Sequence, residues 1–224
     1  MRHRQARGTG TLVVMVKVPM IGRVKTRLAR DIGGVRATSF YRAAARALLT
    51  RLSGDRRWRT VLAVAPDTAL MTRAFAAGPK RMRQGDGDLG RRLNHAMRQP
   101  TPGAVVVIGT DIPAIRARDV AAALSAARRA GAVFGPAPDG GYWLVGLRQT
   151  PRAHDPFRGV RWSTEHALAD TETNLARARG LVSRLGPSGG AVAARLRVLD
   201  DVDDGETYAR VAAWSGRVVL PTGV

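Results

Sequence analysis

The stretch Lys17-Val-Pro-Met-Ile-Gly-Arg-Val-Lys-Thr-Arg27 places four cations within eleven residues, in a loop shaped by Pro19 and Gly22. Lys25, Thr26 and Arg27 open a helical pattern, and the unpaired amides and dipole of a helix start favour an anion. A di- or triphosphate is the natural guest, with Lys17, Gly22, Arg23, Lys25, Thr26 and Arg27 around it; a solvated basic turn is the plainer alternative. This is not a Walker loop, because Gly-x-x-x-x-Gly-Lys-Ser/Thr is missing. Of 37 basic residues only Lys17, Lys25 and Lys80 are lysine, and two of the three fall in this loop. An ammonium is a compact point charge that reaches a phosphate where a guanidinium fork is too wide.

Carboxylates offer the complementary chemistry. Gly109-Thr-Asp-Ile-Pro113 follows an apolar run. An aspartate delivered to a strand's carboxyl end commonly holds a hard cation such as Mg²⁺ together with phosphate oxygens. Asp111 also suits a plain turn beside Pro113. Asp200-Asp-Val-Asp-Asp-Gly-Glu206 packs five acids into seven residues of a basic chain. Such density calls for a cation or a basic neighbour, without EF-hand spacing; an acidic cap on the last helix is the alternative. Gly135-Pro-Ala-Pro-Asp-Gly-Gly-Tyr142 fits a tight hairpin with Asp-Gly at its turn. Its paired glycines also let a ligand approach the main chain, where Asp139 and Tyr142 offer an acid and an aromatic wall.

Other patterns carry less. Gly85-Asp-Gly-Asp-Leu-Gly90 matches the dinucleotide fingerprint Gly-x-Gly-x-x-Gly. Residues 80–84 read as too polar for the buried strand that fingerprint needs, and Asp86 and Asp88 would oppose a pyrophosphate. The stretch reads instead as a polar loop near a base or sugar, or as a helix start. The histidines at 3, 95, 154 and 166 lack metal-ligand spacing, and Ser163, His166 and Asp170 lack the Gly-x-Ser-x-Gly elbow of a hydrolase.

Positioning these groups requires strands and helices in alternation. Apolar runs predict strands at 12–18, 60–65, 104–108, 132–135, 142–147 and 196–199. Periodicity predicts helices at 23–32, 35–52, 68–77, 89–98, 119–130, 164–179 and 206–214. Continuous apolar strands alternating with helices indicate an α/β sheet covered on both faces. Ligands bind such sheets beyond the carboxyl ends of their strands. Residues 17–27, 109–113, 136–142 and 200–204 each follow a predicted strand, so they are expected to converge at one edge.

Length and composition narrow the classes. With 224 residues the chain suits one domain over 12–214, between a basic flexible tail at 1–11 and a short tail at 215–224. The piece at 186–190 is the only linker-like one. No apolar run approaches the ~20 residues of a membrane span, and residues 1–16 do not resemble a secretory signal. Cysteine is absent, which removes thiolate sites and disulfides, and a cytoplasmic location is the expectation. Net charge is +20, which points to polyanions or phosphorylated ligands. Aromatic residues are only 5% and do not interleave with the basic run, so no stacking platform for single strands forms and no specific nucleic-acid partner is expected.

Together, Met15-Val-Lys-Val-Pro-Met-Ile-Gly-Arg-Val-Lys-Thr-Arg-Leu28, Gln84-Gly-Asp-Gly-Asp-Leu-Gly90, Gly109-Thr-Asp-Ile-Pro113, the stretch from Gly135 to Leu147, Trp162-Ser-Thr164 and Leu199-Asp-Asp-Val-Asp203 resemble a bacterial family long catalogued as a domain of unknown function. Its members are now often labelled glycosyltransferases of the arsenosugar-biosynthesis type. The resemblance covers residues 12–208 and implies the nucleotide-diphospho-sugar transferase fold, a Rossmann-like, GT-A-like mixed and mostly parallel sheet. It implies a glycosyltransferase taking a nucleotide-sugar donor and a small-molecule acceptor. Mg²⁺ or Mn²⁺ would sit on Asp111 with Asp203 or Asp201, Lys25 and Arg27 would neutralise the leaving phosphate, and Gln84 and Gly85 would lie by the nucleotide. Asp139 would orient or deprotonate the acceptor, with Gly140, Gly141, Tyr142, Trp162, Ser163 and Thr164 around sugar and acceptor. The Lys-Thr-Arg-Leu loop is also similar to that of 2-phospholactate guanylyltransferase, and the plan to molybdenum-cofactor nucleotidylyltransferases. Nucleotidyl transfer from a nucleoside triphosphate is therefore the alternative. Two departures stand out: Ile21 replaces a proline, and Asp204-Gly-Glu-Thr207 replaces Thr-x-Glu-Asp after Asp203.

Overall fold

The computed structural model describes residues 10–75, 77–98, 103–148, 155–178 and 193–214. Most of the basic tail, His154, the linker-like piece at 186–190 and the C-terminal tail lie outside these. Residues 10 and 11, placed in the tail by the sequence reading, open the first strand.

The strands are β1 (Gly10–Lys17), β2 (Trp58–Ala65), β3 (Lys80–Arg83), β4 (Ala104–Ile108), β5 (Ala132–Pro136), β6 (Tyr142–Arg148) and β7 (Ala194–Arg195). The helices are α1 (Thr26–Ile32), α2 (Gly34–Ser53), α3 (Leu89–Arg98), α4 (Ala117–Ala130), α5 (Ala167–Ala178) and α6 (Gly205–Trp214). One mixed sheet runs in the order β3-β2-β1-β4-β6-β5-β7. β1 pairs in parallel with both β2 and β4, whereas β6 runs antiparallel between β4 and β5. Sequence order reverses between β1 and β4, the switch point where open α/β sheets bind ligands.

Strand alternation explains the two-faced core. Leu12, Val14 and Val16 point to one face, under Leu48, Leu49 and Leu52 of α2 and Val120, Ala123 and Leu124 of α4. Val13, Val105 and Val107 point to the other, under Leu93, Ala96 and Met97 of α3 and Leu175 of α5. A third cluster joins α1, α2 and the segment before α6 through Leu28, Phe40 and Val202, and Tyr208 of α6 meets the Phe40 ring edge to face at 5.2 Å. Among the described residues no helix is long and apolar enough to cross a membrane.

Three expectations about elements need correction. Residues 68–77 do not form a helix: a 3-10 turn at Asp67–Ala69 gives way to irregular chain. The Arg81 guanidinium donates to the carbonyls of Leu70, Thr72 and Phe75, which takes acceptors away from any helical ladder. Residues 80–83, read as too polar for a strand, form the edge strand β3, a position where charged side chains face water and deter further pairing. A strand therefore does precede Gly85. The helix start beyond it is closed by Asp88, whose Oδ1 accepts the Arg91 amide at 2.8 Å, the place a pyrophosphate would need. The last strand lies at Ala194–Arg195 instead of 196–199, although Leu196 and Leu199 still donate to the Phe134 and Pro136 carbonyls.

Candidate active site

The clusters after β1, β4, β5 and β7 meet in one cleft of about 660 Å³ at the carboxyl edge of the parallel strands. Lys17, Lys25, Thr26 and Arg27 line it beside Asp111, Asp139, Asp201 and Asp203. Gln84, Gly141, Tyr142, Trp162, Ser163 and Thr164 line it as well. Gly22, Arg23, Gly85 and Gly140 do not.

Lys25 is the best-defined group. It precedes α1 with φ 47° and ψ 48°, the left-handed region, which costs a non-glycine residue about 1–2 kcal/mol. The backbone twist turns its side chain inward, where it is only 5% exposed. Its ammonium donates to Asp203 Oδ1 at 2.6 Å and to Asp111 Oδ2 at 3.2 Å. Burial alone would lower the lysine pKa, but Asp111 and Asp203 outweigh it and hold the pKa above its ordinary value. Arg27, exposed on α1, reaches Asp203 Oδ2 at 3.3 Å.

The acids are brought together by backbone as well as charge. The Val202 amide donates to the Asp111 carbonyl at 3.1 Å, and the Val202 side chain is fully buried in the third core cluster. Asp201 and Asp203, on either side, then lie against Asp111, and one carboxylate oxygen from each of the three falls within 4.8 Å of the others. At Gly109 a Cβ would come within 2.6 Å of the Asp111 carboxylate, so glycine makes room for that side chain. Burial, then repulsion from Asp203 and Asp111, pushes the Asp201 pKa up to about 7. The rest of the acidic run has local duties. Asp200 and Glu206 pair with Arg210, and Asp204 Oδ1 caps α6 through the Thr207 amide.

The opposite wall comes from the β5–β6 hairpin and the segment before α5. Asp139 is exposed, and its Oδ1 accepts the Gly141 amide at 2.9 Å, so the hairpin turn and a cleft-facing acid coexist. Tyr142 packs edge to face on Trp162 at 6.2 Å, while its hydroxyl lies 3.4 Å from that of Thr171. Burial raises the Tyr142 pKa well beyond its normal range, so the phenol stays protonated. The Gln84 amide nitrogen is committed to the Val16 and Ala63 carbonyls at 3.0 and 2.8 Å, which leaves its carbonyl oxygen to offer a ligand.

Tyr41 and Arg92, two cleft residues with polar side chains, escaped the sequence reading. Tyr41 of α2 accepts the Lys17 amide at 2.8 Å, donates to the Lys17 carbonyl and meets Thr110, tying the ends of β1 and β4 together. Arg92 of α3 lines the cleft too. Tyr41 lies in an ordinary amphipathic helix and gives no local signal. Arg92 does give one: it stands next to Leu93 and one turn before Ala96, both buried in the structure.

No curated protein matches the chain. A crystal structure from Desulfovibrio desulfuricans G20, provisionally named a nucleotide-diphospho-sugar transferase, is 26% identical with TM-score 0.79, covering 96% of this chain and 91% of that one. The 4-diphosphocytidyl-2C-methyl-D-erythritol synthase of Anaerococcus prevotii DSM 20548 is 10% identical with TM-score 0.54, covering 94% and 97%. A nucleotidyl transferase of Methanothermobacter thermautotrophicus, Mth528, is 12% identical with TM-score 0.52, covering 93% and 98%. The fold is therefore that of nucleotide-diphospho-sugar transferases, shared with nucleotidyl transferases. Residues 48–164, more than half the chain, match the model described as uncharacterized protein conserved in bacteria (DUF2064), and the chain belongs to that family.

Proposed function

We propose that this protein is a metal-dependent glycosyltransferase of the cytoplasm, moving a sugar from a nucleotide-sugar donor to a small-molecule acceptor. The observation that carries the reading is the single cleft in which a cation-seeking acid cluster and phosphate-seeking bases face a hydroxyl-binding wall. The name of the Desulfovibrio relative and the glycosyltransferase label of the resembling family support the glycosyl part.

The acids suit a hard divalent cation. They present oxygen donors only, three of them within 4.8 Å of one another, and an ammonium already bridges two of the carboxylates. Asp111, Asp203 and Asp201 would hold Mg²⁺ or Mn²⁺, which when bound supplies Lewis-acid neutralisation of a departing diphosphate. Lys25 and Arg27, with Thr26 at the helix start and Lys17 at the end of β1, bind and orient the phosphates and offset charge as the leaving group departs. The Gln84 carbonyl oxygen faces the nucleotide. Asp139 orients an acceptor hydroxyl or takes its proton, between Gly141, Tyr142, Trp162, Ser163 and Thr164. Gly22, Arg23, Gly85 and Gly140 act one step back, by shaping the loops that carry these groups.

Product identity tests the reading. Incubation with Mn²⁺ and a panel of nucleotide sugars and acceptors is expected to release nucleoside diphosphate. The Lys25-Thr26-Arg27 loop, similar to that of a guanylyltransferase, favours a second reading. Pyrophosphate formed from GTP or CTP would establish that one in its place.

A further inference from the structure

We infer that Arg92, together with the indole N–H of Trp162, forms an oxyanion subsite that holds the acceptor by a carboxylate or phosphate group; this rests on the transferase reading above. Arg92 is half-buried on α3, next to Leu93 and one turn before Ala96, both buried, where an apolar residue is the rule. Elsewhere the fold satisfies its partly enclosed arginines. Arg81 has three carbonyls and Arg51 has the Pro113 carbonyl, and even the exposed Arg197 has Asp119 and the Ala114 carbonyl. Arg92 differs: its Nε is fully enclosed and has no hydrogen-bond partner among the described residues.

A second orphan lines the same cleft. Trp162 Nε1 is likewise enclosed without a partner among the described residues. Its indole packs on Gly90, where a Cβ would come within 3.1 Å of that nitrogen, so α3 carries both Arg92 and the seat of the indole. Both residues line the cleft. The other two orphan atoms, Ser53 Oγ and Thr60 Oγ1, belong to residues outside the cleft lining.

The chemistry of the pair selects the ligand. A guanidinium and an indole N–H donate and cannot accept. A site built of donors with one permanent positive charge is complementary to an oxyanion, and a buried donor left unpaired costs stability until such a partner arrives. A nucleobase would bring carbonyl oxygens without the charge. The donor's phosphates already have Lys25 and Arg27 on α1, a different element. Arg92 therefore belongs to the acceptor, against the aromatic wall of Tyr142 and Trp162.

Calorimetric titration of the full chain with orthophosphate and with acetate tests this. Wild type is expected to bind one of them saturably, orthophosphate if the acceptor carries a phosphate and acetate if it carries a carboxylate. Arg92→Leu should weaken that binding by about tenfold or more, Arg92→Lys should fall between, and Arg91→Leu, which removes the same charge from the exposed neighbour, should match wild type. Arg92→Leu should also melt no lower than wild type without anion, because it removes an unpaired buried group. Equal anion affinity in wild type, Arg92→Leu and Arg92→Lys would overturn the subsite, as would equal losses in the Arg91 and Arg92 variants. Thermal stabilisation by UDP, GDP or CDP with Mn²⁺, read on the same proteins, tests the transferase reading separately and should survive in Arg92→Leu. Loss of that stabilisation would assign Arg92 to the donor and overturn the inference. Arg92-dependent anion binding without any nucleotide effect in wild type would overturn the transferase reading and leave the anion site standing.

Discussion

Lys25 holds a carboxylate pair, and the proposed reaction would set a phosphate in competition with them for the same charge. Sequence reasoning found Lys25 and Asp111 by type and by position after strands, and picked Asp201 and Asp203 out of a five-acid run by family resemblance. It could not see that Lys25 bonds residues 86 and 178 positions away, because such contacts exist only once β1 and β4 lie side by side. Lys25→Met should leave three carboxylates crowded together. Fully buried pairs cost about 3–5 kcal/mol to break; here Asp111 and Asp203 are 37% and 32% exposed, so roughly 1–3 kcal/mol is expected. Chemical denaturation with and without Mn²⁺ reads it, and the ion should restore most of the loss. Asp111→Asn and Asp203→Asn should keep the fold while losing Mn²⁺-dependent nucleotide binding, and turnover should fall by about two orders of magnitude or more. Asp204→Asn should be nearly silent in both assays. Asp204 caps α6, and asparagine caps almost as well.

Elements place the acceptor wall. Gly140 has φ +81°, and a Cβ there would lie 2.2 Å from the Glu165 carbonyl oxygen, so the hairpin tip presses directly on the chain leading into α5. Gly140→Ala should therefore cost on the order of 2 kcal/mol or more, measured by urea unfolding, and weaken acceptor binding before nucleotide binding. The segment carrying Trp162 is fixed at its other end by Asp170, which accepts from the Arg161 amide at 3.0 Å and from its guanidinium at 2.8–2.9 Å. Those hydrogen bonds hold the Asp170 carboxyl well below the usual carboxylate range. A depressed folded pKa means stability that is present above the unfolded value of about 3.9 and lost as pH falls through the folded one. The Tm gap between wild type and Asp170→Asn should thus be full near neutrality and close only in strong acid. Elements with strict apolar runs, β1 and β4 above all, were legible in the sequence. The edge strand β3 and the irregular chain before it were not. Their form depends on sheet position and on Arg81 reaching back to distant carbonyls, and neither leaves a periodic trace.

Across the whole molecule, charge and topology divide the work. The net charge of +20 predicts weak attraction to any polyanion. Filter binding to duplex DNA should fall steeply between 50 and about 200 mM salt, without sequence preference, while nucleotide stabilisation with Mn²⁺ changes far less. Nanomolar, sequence-dependent DNA binding at physiological salt would contradict this. Convergence of the four clusters was legible because strand ends share an edge; the place of Arg92 on α3 was legible too, but its unpartnered Nε was not, because only packing reveals an unmet donor. The one reversed strand carries a further consequence. With β6 antiparallel, the basic end of the cleft hangs on long crossovers between parallel strands, and the wall carrying Asp139 hangs in part on the short tip between Pro136 and Tyr142. Doubling the length of a surface loop costs only about 0.6 kcal/mol, whereas lengthening a crossover displaces a packed helix. On the proposed function, what the protein accepts would be exchangeable at a turn, and how it handles phosphate would be locked into the sheet.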